Sequence, residues 1–186
     1  MSMIELMIAI GVLAIGMAGA MILISTSIAS NNRNKFDTTA TNLSAMMLDR
    51  LSTVPVDAAT SFTVYDCTGN AFSVNPAGTT TGTGAVLFTS GMNTGNIDFT
   101  QAPSPSAGYS INYVTCPNAA GTRATYNIRW NIKVLRTITP SNPSSTPVTT
   151  QITVAARQIG DGDNNNLWAF APPVTLRTVV GRAWKP

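Results

Sequence analysis

Glu5 stands at the head of an uncharged, proline-free run, LMIAIGVLAIGMAGAMILISTSIA, from Leu6 to Ala29. A carboxylate at the margin of a hydrophobic helix is costly unless a partner meets it. The nearest candidate partner is the α-amino group of Met1, which one helical turn places on the same face. In a staggered bundle of such helices, Glu5 of one chain instead meets the amine of a neighbour. That pair sets axial register, as buried polar groups do in coiled coils. The plainer alternative makes Glu5 the water-interface residue of a simple anchor. Cys67 and Cys116 are the only cysteines. In an exported protein an isolated even pair forms a disulfide; two buried free thiols are the alternative.

Asp161, Asp163 and Asn165 place oxygen ligands at alternate positions of Asp161-Gly162-Asp163-Asn164-Asn165-Asn166. This spacing opens a calcium-loop pattern, but such loops close with a bidentate glutamate, and the chain has no Glu after Glu5. A Gly/Asn turn between strands is the favoured reading, with calcium the alternative and no other cofactor expected. Thr137 to Pro147 is uncharged and rich in Pro, Ser and Thr, which suits an extended hairpin loop able to carry O-glycans at Ser144, Ser145 and Thr146. Asn42-Leu43-Ser44 fits the N-glycan sequon by chance on a helix. There is no histidine, which removes His-dependent triads, most catalytic zinc sites and the usual general base near neutral pH. Nucleotide loops, paired catalytic carboxylates and activated nucleophiles are likewise missing, so no enzymatic activity is expected.

These residues sit in two kinds of chain. Charged residues make up 10% of the 186, well under the ~25% of ordinary soluble domains. Hydrophobic residues make up 44% but are spread unevenly: the first thirty residues are almost wholly apolar, and the remainder is rich in Thr, Ser, Asn, Gly and Pro. At ~1.5 Å per residue the apolar run spans roughly 36 Å, enough to cross a bilayer core. A signal peptide would need a basic segment ahead of it, and no Lys or Arg precedes the run. Phe36, Ala40, Leu43, Met47 and Leu51 then recur at steps of four and three, while Arg33, Lys35, Asp37, Asp49 and Arg50 lie off that stripe. The pattern predicts one helix over residues 2–52, ended by Pro55. Its first part, 1–30, is apolar all round and requires lipid or protein around it. Its second part, 31–52, covers a globular domain.

Residues 53–108 read as a connecting loop region with one short strand near 85–89. In 109–186 the period is two. Tyr126, Ile128, Trp130, Ile132 and Val134 alternate with Asn127, Arg129, Asn131 and Lys133; Val148–Ala156 and Val174–Val180 repeat the pattern, and Tyr109–Cys116 is a fourth strand. One apolar face implies an antiparallel sheet packed on one side, with the helical stripe as its cover, an α+β architecture. Arg123, Arg129, Lys133, Arg136 and Arg157 then lie on a mildly basic, solvated face. The net charge of +3 and the lack of a Lys/Arg cluster give no case for nucleic acid. Trp130, Trp168 and Trp184 suit a core or a subunit contact.

Met1-Ser2-Met3-Ile4-Glu5-Leu6-Met7-Ile8-Ala9-Ile10 resembles the mature N-terminus of type IV pilins and pseudopilins. In that family a prepilin peptidase cuts a basic leader after a glycine, the new first residue is N-methylated, and a glutamate stands fifth. The resemblance, clear over residues 1–52, implies that the sequence starts at the processed residue, with Met1 as the N-methylated terminus and Glu5 as the assembly residue. It also implies a long helix on an antiparallel head, a precursor in the bacterial inner membrane handled by assembly machinery, and a homo-oligomeric helical filament outside the cell. Two departures stand out: Met1 replaces the usual Phe, and no proline interrupts the apolar segment. Gly11, Gly16 and Gly19 weaken the helix instead, each by about 1 kcal/mol relative to Ala, so local melting in a filament is expected at Gly16–Ala20. A pseudopilin of a type II secretion system shares this N-terminus. Gly11–Ala20 and Leu48-Asp49-Arg50-Leu51 look like those of minor, tip-located pilins. A monomeric membrane-anchored binding domain is a reading of another class, distinguished by tolerance of Glu5→Ala.

Overall fold

The computed structural model describes residues 3–54, 61–103, 107–117, 121–136, 148–161 and 172–181. The chain divides into two compact units, Met1–Thr38 and Thr39–Pro186. One helix, α1, runs from Met3 to Thr53, within a residue of the span the sequence predicts. It is unbroken at Gly16–Ala20. The protein is α+β, and the strands are β1 (Phe62–Tyr65), β2 (Ala71–Val74), β3 (Thr83–Gly84), β4 (Ser110–Val114), β5 (Ala124–Arg136), β6 (Val148–Asp161) and β7 (Val174–Gly181).

β1 and β2 form an antiparallel hairpin. The other five strands form a second antiparallel sheet in the order β3-β5-β6-β7, with β4 also pairing with β5. β3 and β4 therefore share one edge of β5, at Asn131–Ile132 and at Thr125–Arg129 respectively. Gly84 makes this sharing possible. It has φ +115, and a side chain there would strike the Trp130 carbonyl and the Tyr109 ring.

On one sheet face, Tyr126, Ile128, Trp130 and Ile132 of β5 align with Ile152, Val154 and Ala156 of β6. All are at most 1% exposed. Ala40, Leu43, Met47 and Leu51 of α1 complete this core with Val64, Val74, Tyr109 and Ile111. The periodic stripe of the helix thus meets the periodic face of the sheet, and each large apolar side chain so buried contributes about 1.5–3 kcal/mol. Two polar tips within this core are satisfied by backbone: Trp130 Nε1 donates to Asn75 O at 3.1 Å, and Tyr109 Oη donates to Ala77 O at 2.6 Å. Cys67, just beyond β1, is disulfide-bonded to Cys116, just beyond β4, with Cα atoms 4.9 Å apart.

Three sequence expectations need correction. Residues 53–108 are more ordered than a connecting loop, for they hold β1, β2 and β3. The short strand expected at 85–89 is not a strand of the sheet, whose paired segment is Thr83–Gly84; residues 86–88 instead pair locally with 96–98 through the Leu87–Ile97 bridge and the Phe88–Asn96 and Asp98–Val86 backbone bonds. The sheet is also not one-sided. Asn127, Arg129 and Asn131, expected in solvent, are 6%, 7% and 8% exposed. Residues 85–102 lie across them as an irregular strap, whose Ala85 and Ile97 pack with Ala155 in a second small core.

Candidate functional site

The unit ending at Thr38 presents the first candidate surface. Leu, Ile, Met and Ala are good helix formers, and no proline interrupts them. Their side chains are largely exposed: Met3 is 83% exposed, and Leu6, Ile10, Ile15 and Leu23 are each more than half exposed. The segment is long and apolar enough to cross a membrane. Glu5 lies in the first helical turn, where the partial positive charge of a helix N-terminus favours an anion. A Cβ added at Gly11, Gly16 or Gly19 would meet no atom within 4 Å. Among the described residues nothing calls for glycine there. Ala14 with Ala18 and Gly16 with Ala20 have the small-xxx-small spacing of closely approaching helices.

The second candidate is the strap-covered face of the large sheet. Asn127 Nδ2 donates to Asn112 Oδ1 at 2.6 Å, and its Oδ1 accepts from Arg129 Nε at 2.5 Å. Arg129 Nη1 reaches three strap carbonyls, with Gln101 O at 2.9 Å, Asp98 O at 3.3 Å and Ala102 O at 3.5 Å. Asn131 Nδ2 donates to Ala85 O at 2.9 Å. Arg177 Nη2 donates to Gly95 O. Within the strap, Phe88 N bonds to Asn96 O and Asp98 N to Val86 O around the Leu87–Ile97 bridge, and polar side chains of β5 and β7 take up further strap carbonyls. Phe99 of the strap lies under two cations, Arg129 Cζ at 4.5 Å and Arg157 Cζ at 5.5 Å from its ring centroid.

Two aspartates pin turns. Asp98 Oδ1 accepts from the Thr100 hydroxyl at 2.5 Å and the Thr100 amide at 2.8 Å. The Thr100 hydroxyl bond, opposed by burial and helped by the Thr100 amide, Gln101 and the Arg129 charge, holds the Asp98 carboxyl below the usual range. Asp66 Oδ1 accepts from the Thr68 and Asn70 amides, both at 2.9 Å, and from the Thr68 hydroxyl at 2.6 Å. Burial pushes the Asp66 carboxyl up, but the bonds from Thr68 and Asn70 together outweigh it and bring it below its ordinary value. Burial lowers the Arg129 guanidinium, the charge of Arg157 lowers it further, and Asp98 partly restores it.

Glu5 belongs to the first unit and the cysteine pair to the second. Met1, Ser144, Ser145, Thr146, Asp163 and Asn165 lie outside the described residues, as do Trp168 and Trp184. Asp161 closes β6, and its side chain is likewise outside them. Among the described residues no group of three or more His, Cys, Asp or Glu could hold a metal ion. Asn42 is exposed on α1, while Ser44 of the same sequon is fully buried. The strap-clamping role of Arg129 and Arg177 went unread in the sequence. The available signal was Ile97-Asp98-Phe99, two apolar residues in a polar loop that required a surface to cover. No protein-family model, curated protein or solved structure matches the chain.

Proposed function

We propose that this chain is a structural subunit of a type IV pilin-like filament, held in the membrane by its apolar helix before assembly and packed through that helix afterwards. The observation that carries the reading is an apolar helix segment exposed all round, with one carboxylate in its first turn. Such a surface is stable only in lipid or against other apolar helices. A lone charged residue costs about 2.5–3.5 kcal/mol at the centre of a membrane helix on insertion scales, and Glu5, in the first turn, bears a smaller part of that cost. Salt bridging to the amino terminus of an adjacent subunit removes that cost in one axial register only. The glycines and alanines of Gly11–Ala20 then let neighbouring helices approach, and the sheet domain coats the fibre. The role is mechanical, and the proposed partners are further copies of the chain, the inner membrane and the machinery that processes and extracts the subunit.

Glu5→Gln tests this in cells. It removes the charge while keeping size and helix propensity. Surface fibres sheared from the variant should fall at least tenfold while the membrane fraction keeps the full amount of subunit. Normal fibre yield from Glu5→Gln would overturn the register role. Mass spectrometry of the sheared wild-type fibres reads a second consequence: this chain as their main protein, starting at N-methyl-Met1.

A further inference from the structure

The strap-covered face holds more positive charge than its neighbours answer. Arg129 on β5 pairs in register with Ala155 on β6, and Arg157 lies two residues further along β6. Diagonal positions of this kind are roughly 7–8 Å apart on one sheet face. Both guanidiniums stand over Phe99. Among the described residues the charges acting on Arg129 are those of Arg157 and Asp98, two cations against one acid. That acid is already committed, since its Oδ1 accepts twice from Thr100. Arg129 spends its donors on Asn127 and on strap carbonyls. Arg157 differs. It is half-buried, and its Nε is buried with no hydrogen-bond partner. A buried guanidinium nitrogen without an acceptor costs several kcal/mol unless an acceptor arrives.

We propose that Arg157, backed by the charge of Arg129, forms an anion site at the margin of the strap for a small oxyanion group such as phosphate, sulfate or carboxylate. The guanidinium edge carrying Nε and one Nη matches two oxygens of such a group bidentately. The anion supplies the missing acceptor and offsets the repulsion between the two arginines. Phe99 fixes the guanidinium plane, so little side-chain entropy is lost on binding. Because the strap's own aromatic ring is part of the site, occupancy also tightens the strap on the sheet.

The test uses the full-length chain in detergent micelles, titrated with inorganic phosphate against sodium chloride at equal ionic strength, with acetate and sulfate as further arms. The Arg157 Nε–Hε resonance should shift saturably with phosphate, and the melting temperature should rise by ~2–5 °C, as expected for a ligand that binds only the folded state. Arg157→Met keeps an apolar stem over Phe99 and should abolish the gain, whereas Arg123→Met, at an exposed position, should leave it intact. Acetate acting as strongly as phosphate assigns the site to carboxylates; phosphate and sulfate acting alone assign it to tetrahedral anions. An unmoved Nε–Hε resonance, or equal stabilisation by chloride, overturns the proposal even if Arg157→Met fails to fold.

Discussion

The two faces of the large sheet are covered in opposite ways. Under α1 the contact is apolar and periodic: Trp130, Ile128 and Val154 are fully buried against Met47 and Leu51. Under the strap it is polar and irregular: Asn127, Arg129 and Asn131 are nearly as buried, yet Arg129 and Asn131 donate to strap carbonyls and Asn127 bonds to the side chains of Asn112 and Arg129. The first face is held by area removed from water, which tolerates approximate fit. The second depends on each bond being made, because an unmatched buried polar group costs more than a matched one returns.

Mutations on the two faces should separate accordingly. The largest effect belongs to the apolar face. Trp130→Ala should cost about 3–5 kcal/mol in urea unfolding, through cavity formation and loss of the Asn75 bond. A loss under 1 kcal/mol would show that α1 and the sheet are not tightly packed. On the polar face, Arg129→Ala orphans strap carbonyls and should cost about 2–3 kcal/mol. Arg129 amide-exchange readouts sharpen this: protection should fall first at Phe88 and Asp98 of the strap, with the Trp130 amide unaffected. Asn131→Ala, which frees only the Ala85 carbonyl, should cost about 1–2 kcal/mol. Acid gives the smallest effect. The Asp98 carboxyl titrates lower folded than unfolded, so its stabilisation is complete above the unfolded value near 4 and fades as pH drops through the folded value. Thermal melts of Asp98→Asn should therefore depend less on pH below about 4 than those of the parent. Identical profiles would detach Asp98 from the strap's stability.

The same contrast explains what the sequence made legible. Alternation of Tyr126, Ile128, Trp130 and Ile132 announced β5, and the four-three spacing of Ala40, Leu43, Met47 and Leu51 announced the covering helix, because burial against apolar partners leaves a period. The strands β1 and β2 alternate too, Phe62 and Val64 about the exposed Thr63 and Phe72 and Val74 about the exposed Ser73, but at four residues each the period is too short to stand out from the surrounding loop. Arg129 misled for a related reason. A charged residue alternating with apolar ones reads as solvent-facing, and only the three-dimensional path of residues 85–102 supplies the carbonyls that let it be buried. The apolar helix and Glu5 were conspicuous as a candidate site; the arginine pair around Phe99 was not, since its members are 28 positions apart in sequence and meet only through β5–β6 register.

The bridge between Cys67 and Cys116 joins residues separated by 49 positions, and the whole strap lies between them. Covalently, the stretch from 67 to 116 is a closed ring hung from the main line of the chain. A pull on the two ends of the molecule runs through the sulfur atoms and bypasses the ring. The strap can therefore rely on individually weak bonds, because tension along the chain never reaches it while the bridge stays oxidised.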